Sequence, residues 1–250
     1  MYEIKSKRWL SGAVTEMRVY APRIAESALP GQFLIVRVDE EGERIPLTIC
    51  DYDAEEGTVT IVTQNVGLSS QKINSLEVGD RFADVVGPLG RPTDLMELSD
   101  EQLRAERILF VAGGVGAAPV YPQVKWLHEH GVEADVIVGA RNREMLIITD
   151  ELRKVAGNLY LSTDDGSAGF HGNVYLCTDD GSEGFHGMVP ALMEQLYDKG
   201  RYTRCVIIGP MIMMKFASLS TKKAGIPTVV SLNALMVDGT GMCGACRVTV

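Results

Sequence analysis

The chain has 250 residues, 46% of them hydrophobic, and a formal net charge of −9 at pH 7. This length allows one large domain or two smaller ones, and the negative charge argues against a nucleic-acid or acidic-membrane partner because phosphate groups repel a protein of that sign. No apolar segment reaches the roughly 20 residues of a membrane helix, and the N-terminus lacks a signal-peptide pattern, so the sequence predicts a cytoplasmic protein without a membrane span.

Residues 1–98 are predicted to form an antiparallel β-barrel. The region contains the short β-branched segments GAVTEMRVYAP, QFLIVRV, RIPLTIC and GTVTIVTQ. Gly, Pro, Asp and Glu residues separate them at a spacing typical of a small barrel. One helix is expected from Leu68 to about Ser75, because the glycine and serines around Leu68 favour a helix start.

Residues 99–229 are predicted to form an α/β domain. Continuous Val/Ile/Leu strands alternate there with helical segments, which is typical of a parallel, doubly wound sheet. The polar residues 98–104 separate the two patterns and are the expected boundary. The remaining residues, 230–250, are too few to fold alone.

One segment is repeated inside the α/β region. Residues 160–172, YLSTDDGSAGFHG, and residues 175–187, YLCTDDGSEGFHG, differ at only two positions. Two copies are too few for a solenoid, which indicates a local duplication in which only one copy occupies the expected place in the sheet. We expect this to be the second copy, because it leads directly into the helical segment MVPALMEQL, and the first copy would then bulge out or add an edge strand.

A glycine-rich turn, VAGGVGAAP, follows a buried strand and precedes a helix. Its glycines let the backbone approach a diphosphate, whose charge the helix N-terminus favours, and its proline suits a first helical turn. The candidate nucleotide contacts of this turn are Gly113, Gly114, Gly116 and Pro119. Gly209 and Pro210 form a second bare turn after a later strand, and two such turns at strand ends favour a ligand crevice.

Two motifs in the barrel region are candidate anion sites. The segment RIPLT places a cation, Arg44, and a hydroxyl, Thr48, on either side of Pro46. The segment VGLSS places Gly67, Ser69 and Ser70 at a helix start, a geometry that binds anions. Taken separately, a strand arginine whose hydrogen bonds are satisfied within the fold and a capped helix explain the two motifs more simply.

The order of these motifs resembles the ferredoxin–NADP reductase superfamily. The resemblance implies an FAD-binding barrel followed by an α/β domain that binds a nicotinamide nucleotide, with Arg44 paired to the flavin diphosphate and the Thr48 hydroxyl near flavin N5 as the catalytic group. The other implied FAD contacts are Pro46, Leu47, Gly67, Ser69 and Ser70. The implied nicotinamide-nucleotide contacts are Gly113, Gly114, Gly116, Pro119, Gly209 and Pro210.

The five cysteines, an odd number, do not form the framework of a secreted disulfide protein. The segment LMVDGTGMCGACRVTV is similar to the small (alpha) subunits of NADH-dependent ferredoxin:NADP oxidoreductases, also described as sulfide dehydrogenase subunits. This resemblance implies that Asp238, Cys243 and Cys246 are three of the four ligands of a [2Fe–2S] cluster. The fourth ligand is absent up to Val250, so we expect this truncated C-terminal segment to hold the cluster poorly or not at all. A redox dithiol is the alternative, although the pair lacks the strand and helix that flank a thioredoxin site.

The expected nucleotide is NAD(H) rather than NADP(H). The carboxylates of Asp179 and Asp180 would accept hydrogen bonds from ribose hydroxyls and repel a 2′-phosphate, whereas Arg141 and Arg143 would favour that phosphate. The family resemblance also implies NAD(H), together with a larger partner subunit that carries a second flavin and [4Fe–4S] clusters and reacts with ferredoxin.

The sequence therefore predicts an FAD-dependent NAD(P)H oxidoreductase subunit. It would pass electrons between NAD(H), FAD and an iron–sulfur cluster within a heterodimeric ferredoxin:NADP(H) oxidoreductase complex. The alternatives are an electron-transfer subunit of dihydroorotate dehydrogenase and a redox-sensing, nucleotide-binding module without turnover.

Overall fold

The computed structural model describes residues 1–165, 167, 174–178, 185–186, 189–197, 202–234 and 236–248. The chain divides into two compact units. The first combines Met1–Asp94 with Asn233–Val250, and the second is Leu95–Leu232. The residues at the end of the chain therefore belong with the N-terminal unit.

The first unit is built on a six-stranded antiparallel sheet with the order β1-β2-β5-β4-β3-β6. Its strands are β1 (Ile4–Ser11), β2 (Val14–Tyr20), β3 (Phe33–Arg37), β4 (Ile45–Asp53), β5 (Thr58–Gln64) and β6 (Asp84–Leu89). Two helices accompany them, α1 (Pro22–Ala25) and α2 (Leu68–Ser75). The helix expected from Leu68 to about Ser75 is thus confirmed.

The two edges of this sheet meet. An antiparallel bridge joins Glu3 to Arg81, the amide of Ile4 donates to the carbonyl of Asp80 at 2.9 Å, and the amide of Phe82 donates to the carbonyl of Tyr2 at 3.2 Å. The sheet therefore closes into the expected antiparallel barrel, which satisfies the backbone groups that an open edge would expose.

The barrel interior is filled by alternate residues of its strands. Leu34, Val36 and Ile49 belong to the buried core, and the side chain of Leu47 packs against it. Pro46 alternates with Leu47 along β4, so its side chain points away from the core, to the outer face of the barrel.

The second unit contains a seven-stranded, entirely parallel sheet with the order β11-β10-β9-β8-β7-β12-β13. Its strands are β7 (Ile108–Gly113), β8 (Asp135–Ala140), β9 (Leu159–Thr163), β10 (Val174–Thr178), β11 (Phe185–His186), β12 (Arg204–Ile208) and β13 (Thr228–Ser231). Its α-helices are α3 (Asp100–Ala105), α4 (Ala117–Glu129), α5 (Thr149–Val155), α6 (Val189–Tyr197) and α7 (Met211–Ala224). No helix of the described residues is long and apolar enough to cross a membrane.

Both faces of the parallel sheet are covered. Leu109 and Val111 of β7 belong to the core formed with α6 and α7, while Ile108 and Phe110 alternate with them and are equally buried. Helix α4 packs against β7 and also against α5. This arrangement confirms the α/β class, and it explains why the strands read as continuous apolar segments.

The repeated segment enters the sheet differently from the expectation. Strand β9, from the first copy, pairs in parallel with β8, and Leu161 lies opposite Val138. Strand β10, from the second copy, lies outside β9, with Leu176 opposite Leu161. The prediction that the second copy takes the place beside β8 is therefore wrong. Strands that follow one another along the chain usually become neighbours in a sheet, and the first copy is the next strand after β8.

Candidate functional site

The motif RIPLT lies at the start of β4, which pairs with β3 in the barrel. In the register of these antiparallel strands, Pro46 lies opposite Ile35 and Thr48 lies opposite Phe33. Pro46 and Thr48 are half-buried and project to the same outer face, because alternate residues of a strand share a face. Leu47 was expected beside them, but its side chain packs against the barrel core, so only its backbone is available on this face.

Arg44 immediately precedes β4 and is exposed. Its Nη1 atom lies 3.5 Å from Oδ2 of Asp84, the first residue of β6. The side chain is thus held beside the strand pair but keeps 42% of its surface exposed, which leaves guanidinium donors available to an anion.

The start of α2 uses its two serines in different ways. The Ser70 hydroxyl accepts hydrogen bonds from the amides of Val66 and Gly67, both at 2.9 Å, and donates to the Gly67 carbonyl at 2.8 Å. Ser70 therefore caps its own helix. The Ser69 hydroxyl instead donates to the carboxylate of Glu43, so it is already turned toward an anion.

A cavity of about 400 Å³ opens beside this helix start. Its lining combines apolar, charged and hydroxyl-bearing residues: Val38, Glu41, Gly42, Glu43, Ile45, Leu68, Ser69 and Lys72. A side-chain carbon at Gly67 would meet no atom within 4 Å, so the backbone there is open to approach. The Ser69 hydroxyl and the open helix N-terminus beside this cavity, together with the guanidinium of Arg44 between the lining residues Glu43 and Ile45 in the sequence, are donors of the kinds that fit the diphosphate of FAD.

The Glu43–Ser69 hydrogen bond was not anticipated from the sequence, and neither was the Arg44–Asp84 ion pair. The acidic segment DEEGE, residues 39–43, lies directly before Arg44 and could have indicated a carboxylate partner for Ser69. The Arg44–Asp84 ion pair depends on the pairing of β3 with both β4 and β6, which no local sequence pattern encodes.

In the second unit, the two glycine turns lie side by side. Strand β7 ends at Gly113, and its neighbour β12 ends at Ile208, which lies opposite Ala112. A side-chain carbon at Gly116 would collide with the carbonyl group of Ile208, and one at Gly209 would lie 2.9 Å from the Gly113 backbone nitrogen. Only glycine allows this approach, so the structure brings the two predicted nucleotide turns together at the carboxyl edge of the sheet.

Helix α4 starts at this edge. It begins at Ala117 directly after a short 3₁₀ turn, Gly114–Gly116. Gly114 has a φ of +54°, a left-handed conformation that favours glycine. Pro119 lies in the first turn of α4, where its missing amide costs no hydrogen bond.

The acidic pair of the first repeat copy lies at the same edge. The amide of Asp164 donates to the carbonyl of Ala140 at 3.0 Å, and the amide of Asp165 donates to the carbonyl of Arg141 at 3.2 Å. The Ser167 hydroxyl donates to Asp165 at 2.6 Å, and this hydrogen bond lowers the pKa of Asp165 below its ordinary value. The residues predicted for this role, Asp179 and Asp180, lie outside the described residues.

The C-terminal segment brings two of the three predicted cluster ligands together. Hydrogen bonds from Thr240, whose amide lies 2.9 Å from the Asp238 carboxylate, and from Cys243 lower the pKa of Asp238. Cys243 and Cys246 are both exposed. Among the residues that the structure describes, no three His, Cys, Asp or Glu side chains are placed to hold a metal ion. As arranged, these residues do not fit the four-ligand donor set of a [2Fe–2S] cluster.

This segment lies on the outer face of the barrel. Gly239, next to Asp238, has a φ of +75°. A side-chain carbon there would collide with Cδ1 of Ile35 and would lie 3.3 Å from Cδ1 of Leu89. Because Ile35 is the cross-strand partner of Pro46, Pro46, Thr48 and the segment of Asp238 share one face of one sheet.

The chain is similar in sequence and in structure to several known proteins. No family model matches the chain. It is 55% identical over 251 residues to an uncharacterized protein of Clostridium beijerinckii encoded in the adh 3′ region, covering 100% of this chain and 80% of that protein. It is 40% identical over 248 residues to a Thermotoga maritima homolog of the dihydroorotate dehydrogenase B (NAD(+)) electron transfer subunit, covering 99% and 80%. A chain of the NADH-dependent reduced ferredoxin-NADP oxidoreductase structure, described for flavin-based electron bifurcation, superposes with a TM-score of 0.83 at 38% identity, covering 100% and 82%.

Proposed function

Because the chain belongs to the family of dihydroorotate dehydrogenase B electron-transfer subunits and their homologues, we propose that it passes electrons between NAD(H), FAD and an iron–sulfur carrier. One observation carries this proposal. Pro46 and Thr48, the residues proposed for the flavin ring, share the outer face of the barrel with Gly239 and the neighbouring Asp238. A flavin on this face would lie beside the C-terminal segment that contains Asp238.

The barrel residues are proposed to hold and orient the flavin. Arg44, the Ser69 hydroxyl and the open backbone at Gly67 would bind the diphosphate. Ser70 would stabilise the first turn of α2 through its hydrogen bonds with Gly67. Thr48 would hydrogen-bond at flavin N5. When bound, FAD supplies the exchange between a two-electron hydride and single electrons, and the protein supplies placement and tuning.

The second unit is proposed to bind the nicotinamide nucleotide at the carboxyl edge of its sheet. The glycine turns of Gly113 and Gly209 pack closely together, a side-chain carbon at the neighbouring Gly114 would meet no atom within 4 Å, and the start of α4 favours the charge of a diphosphate. Since the first repeat copy lies beside β8, we assign the ribose-binding role to Asp164 and Asp165 rather than to Asp179 and Asp180. These carboxylates favour NAD(H) over NADP(H).

Two complexes are candidates for the physiological setting. The 38% identical superposition on 82% of a chain from the ferredoxin-NADP oxidoreductase structure favours such a complex, with a larger subunit that carries a second flavin and [4Fe–4S] clusters and reacts with ferredoxin. The names of relatives 40% and 31% identical favour an electron-transfer role toward a dihydroorotate dehydrogenase. Co-purification with one or the other catalytic subunit distinguishes them.

The proposal is tested by reconstituting the purified chain with FAD and measuring NADH oxidation with ferricyanide as the acceptor. We expect a yellow protein that releases fluorescent flavin on denaturation and turns over NADH. A protein that neither binds FAD nor oxidises NADH would overturn the proposal. NADH binding without turnover would support the sensing module instead. Iron and acid-labile sulfide measured on the same sample decide whether Asp238, Cys243 and Cys246 hold a cluster.

A further inference from the structure

Helix α7 exposes an apolar stripe. Ile212, Phe216 and Leu219 are 63%, 51% and 47% exposed, and their spacing of four and three residues places them on one face of the helix. The opposite face is buried, with Met214 and Ala217 in the core shared by α6 and the sheet. A helix that packs on one side is expected to be polar on the other, so this stripe requires an explanation.

Three lysines lie along the same stripe. Lys215, Lys222 and Lys223 are exposed and follow the apolar residues at intervals of three and four. In the described part of the chain, none of the three forms an ion pair. Helix α7 has no acidic residue, and the exposed carboxylate of the adjacent helix α6 is Glu194. In a chain with a net charge of −9, this face is a local concentration of positive charge.

From this combination we infer that the α7 face, defined as Ile212, Lys215, Phe216, Leu219, Lys222 and Lys223, docks the larger partner subunit through an apolar patch ringed by carboxylates. The inference rests on the proposed function as a subunit of an electron-transfer complex. Apolar side chains in the centre of a protein interface supply affinity, while complementary charges around them fix the orientation and speed the association.

The charges on the α7 face argue against other occupants. In a symmetric pair of identical chains, a helix face meets its own copy, and three lysines would then oppose three lysines. An acidic membrane would meet a chain with a net charge of −9, and the lysines lie within the apolar stripe rather than on an opposite polar face, unlike those of a membrane-surface helix. A partner protein with carboxylates around an apolar centre is complementary both to the apolar side chains and to the lysines of the α7 face.

The test measures the affinity of the chain for the larger flavin and [4Fe–4S] subunit. Two variants change the α7 face, Phe216→Ser and the double variant Lys222→Glu/Lys223→Glu. Two controls make the same changes elsewhere: Trp9→Ser removes an aromatic side chain that is 55% exposed, and Lys154→Glu reverses an exposed lysine of α5. NADH oxidation with ferricyanide is measured for every variant, because none of these residues belongs to the proposed cofactor sites.

We expect each α7 variant to raise the Kd by about tenfold or more, with unchanged ferricyanide activity and with both controls close to the wild-type value. The lysine variant is also expected to weaken the dependence of Kd on salt, since fewer charges then attract the partner. If Phe216→Ser fails to fold, Lys223→Glu alone still decides, because this exposed side chain has no packing role.

Four outcomes would overturn the inference. One is a complex whose affinity is the same for wild-type chain and α7 variants, which leaves the proposed function intact. The second is self-association of the chain, measured by light scattering, that the α7 variants abolish. The third is binding of the chain to phosphatidylserine vesicles that the α7 variants abolish. The last is a wild-type chain that turns over NADH yet forms no complex with the larger subunit. Loss of NADH turnover by the wild-type chain would instead contradict the proposed function itself.

Discussion

Gly239 packs against Ile35 on the outer face of the barrel, although the two residues come from opposite ends of the chain. Ile35 pairs across β3 and β4 with Pro46. The contact therefore fixes the segment of Asp238 directly above the strand pair proposed to hold the flavin ring. It also gives the C-terminal segment, which is too short to fold alone, a surface on which to order.

Replacing Gly239 by alanine is expected to detach this segment. The added carbon would collide with Ile35 and would also strain a backbone with a φ of +75°, so we expect the free energy of unfolding to fall by about 1–3 kcal/mol. Gly241→Ala is the matched control, because Gly241 has a φ of +85° but open space around it. Denaturant unfolding measures both. Equal losses for the two variants would contradict a packing role for Gly239.

Glu43 is expected to compete with FAD for the start of α2. Its carboxylate accepts the hydrogen bond of the Ser69 hydroxyl, and it would repel the flavin diphosphate. We therefore expect Glu43→Gln to tighten FAD binding by about two- to fivefold, the effect of one exposed charge. Titration of flavin fluorescence measures the Kd. Glu41→Gln is the control, since Glu41 lines the same cavity without bonding Ser69, and an equal effect there would exclude a specific role for Glu43.

Thr48 is expected to affect flavin reduction more than flavin binding. It projects to the outer face beside Pro46, and the proposed hydrogen bond to N5 comes from its hydroxyl. Thr48→Val keeps the shape and removes the donor, so we expect NADH-dependent flavin reduction to slow by about two- to tenfold, the value of one neutral hydrogen bond, at unchanged FAD content. Stopped-flow absorbance measures the rate. Thr48→Ser should restore it, and failure to do so would remove this role.

The sequence predicts well those features that repeat along the chain. Val111 and its neighbours in β7 form a continuous apolar segment because both faces of the sheet are covered, and Leu68 begins α2 because glycine and serine precede and follow it. Features set by packing between distant residues were missed. The outward Pro46 and inward Leu47 follow from the register of β3 with β4, which the motif RIPLT does not encode.

The repeat illustrates the same limit. Its two copies have nearly the same local propensity, so the sequence offers no physical reason for either to pair with β8. The order of the elements along the chain decides which copy pairs with β8. The first copy follows α5 directly, and its strand pairs with β8 from Leu159, which lies opposite Val136. The prediction that the second copy pairs with β8 considered only the helix that follows the repeat and not the strand and helix that precede it.

Asp164 is expected to set the preference for NADH over NADPH. It lies at the carboxyl edge of the sheet after β9, where its amide is held by Ala140. Asp164→Ser keeps a hydrogen-bonding group for the ribose but removes the charge that repels a 2′-phosphate. We expect the ratio of kcat/KM values for NADH and NADPH to fall by about tenfold. The same substitution at Asp179 is the control from the second repeat copy, and a larger effect there would contradict the assignment to the first copy.

The four cysteines whose side chains are described should differ in reactivity. The thiolate is the reactive form, and burial raises the pKa of Cys205 to about 12, whereas Cys243 and Cys246 are exposed. We expect iodoacetamide at about pH 8 to label Cys243 and Cys246 in the folded protein, and Cys50 and Cys205, which are buried, only after unfolding. Peptide mass mapping assigns the sites, and labelling of Cys205 as fast as Cys246 would contradict its burial.

The raised pKa of Cys205 also predicts a pH dependence of stability. The folded chain keeps the thiol proton until about pH 12, while the unfolded chain loses it near the ordinary value of 9.0. The stabilising contribution of the neutral thiol is therefore complete below pH 9 and is lost as pH rises from there to about 12, at about 1.4 kcal/mol per pH unit. Denaturant unfolding of wild type and Cys205→Ala above pH 9 measures this slope. The alanine variant should lose less stability per pH unit, and parallel slopes would show that Cys205 does not contribute.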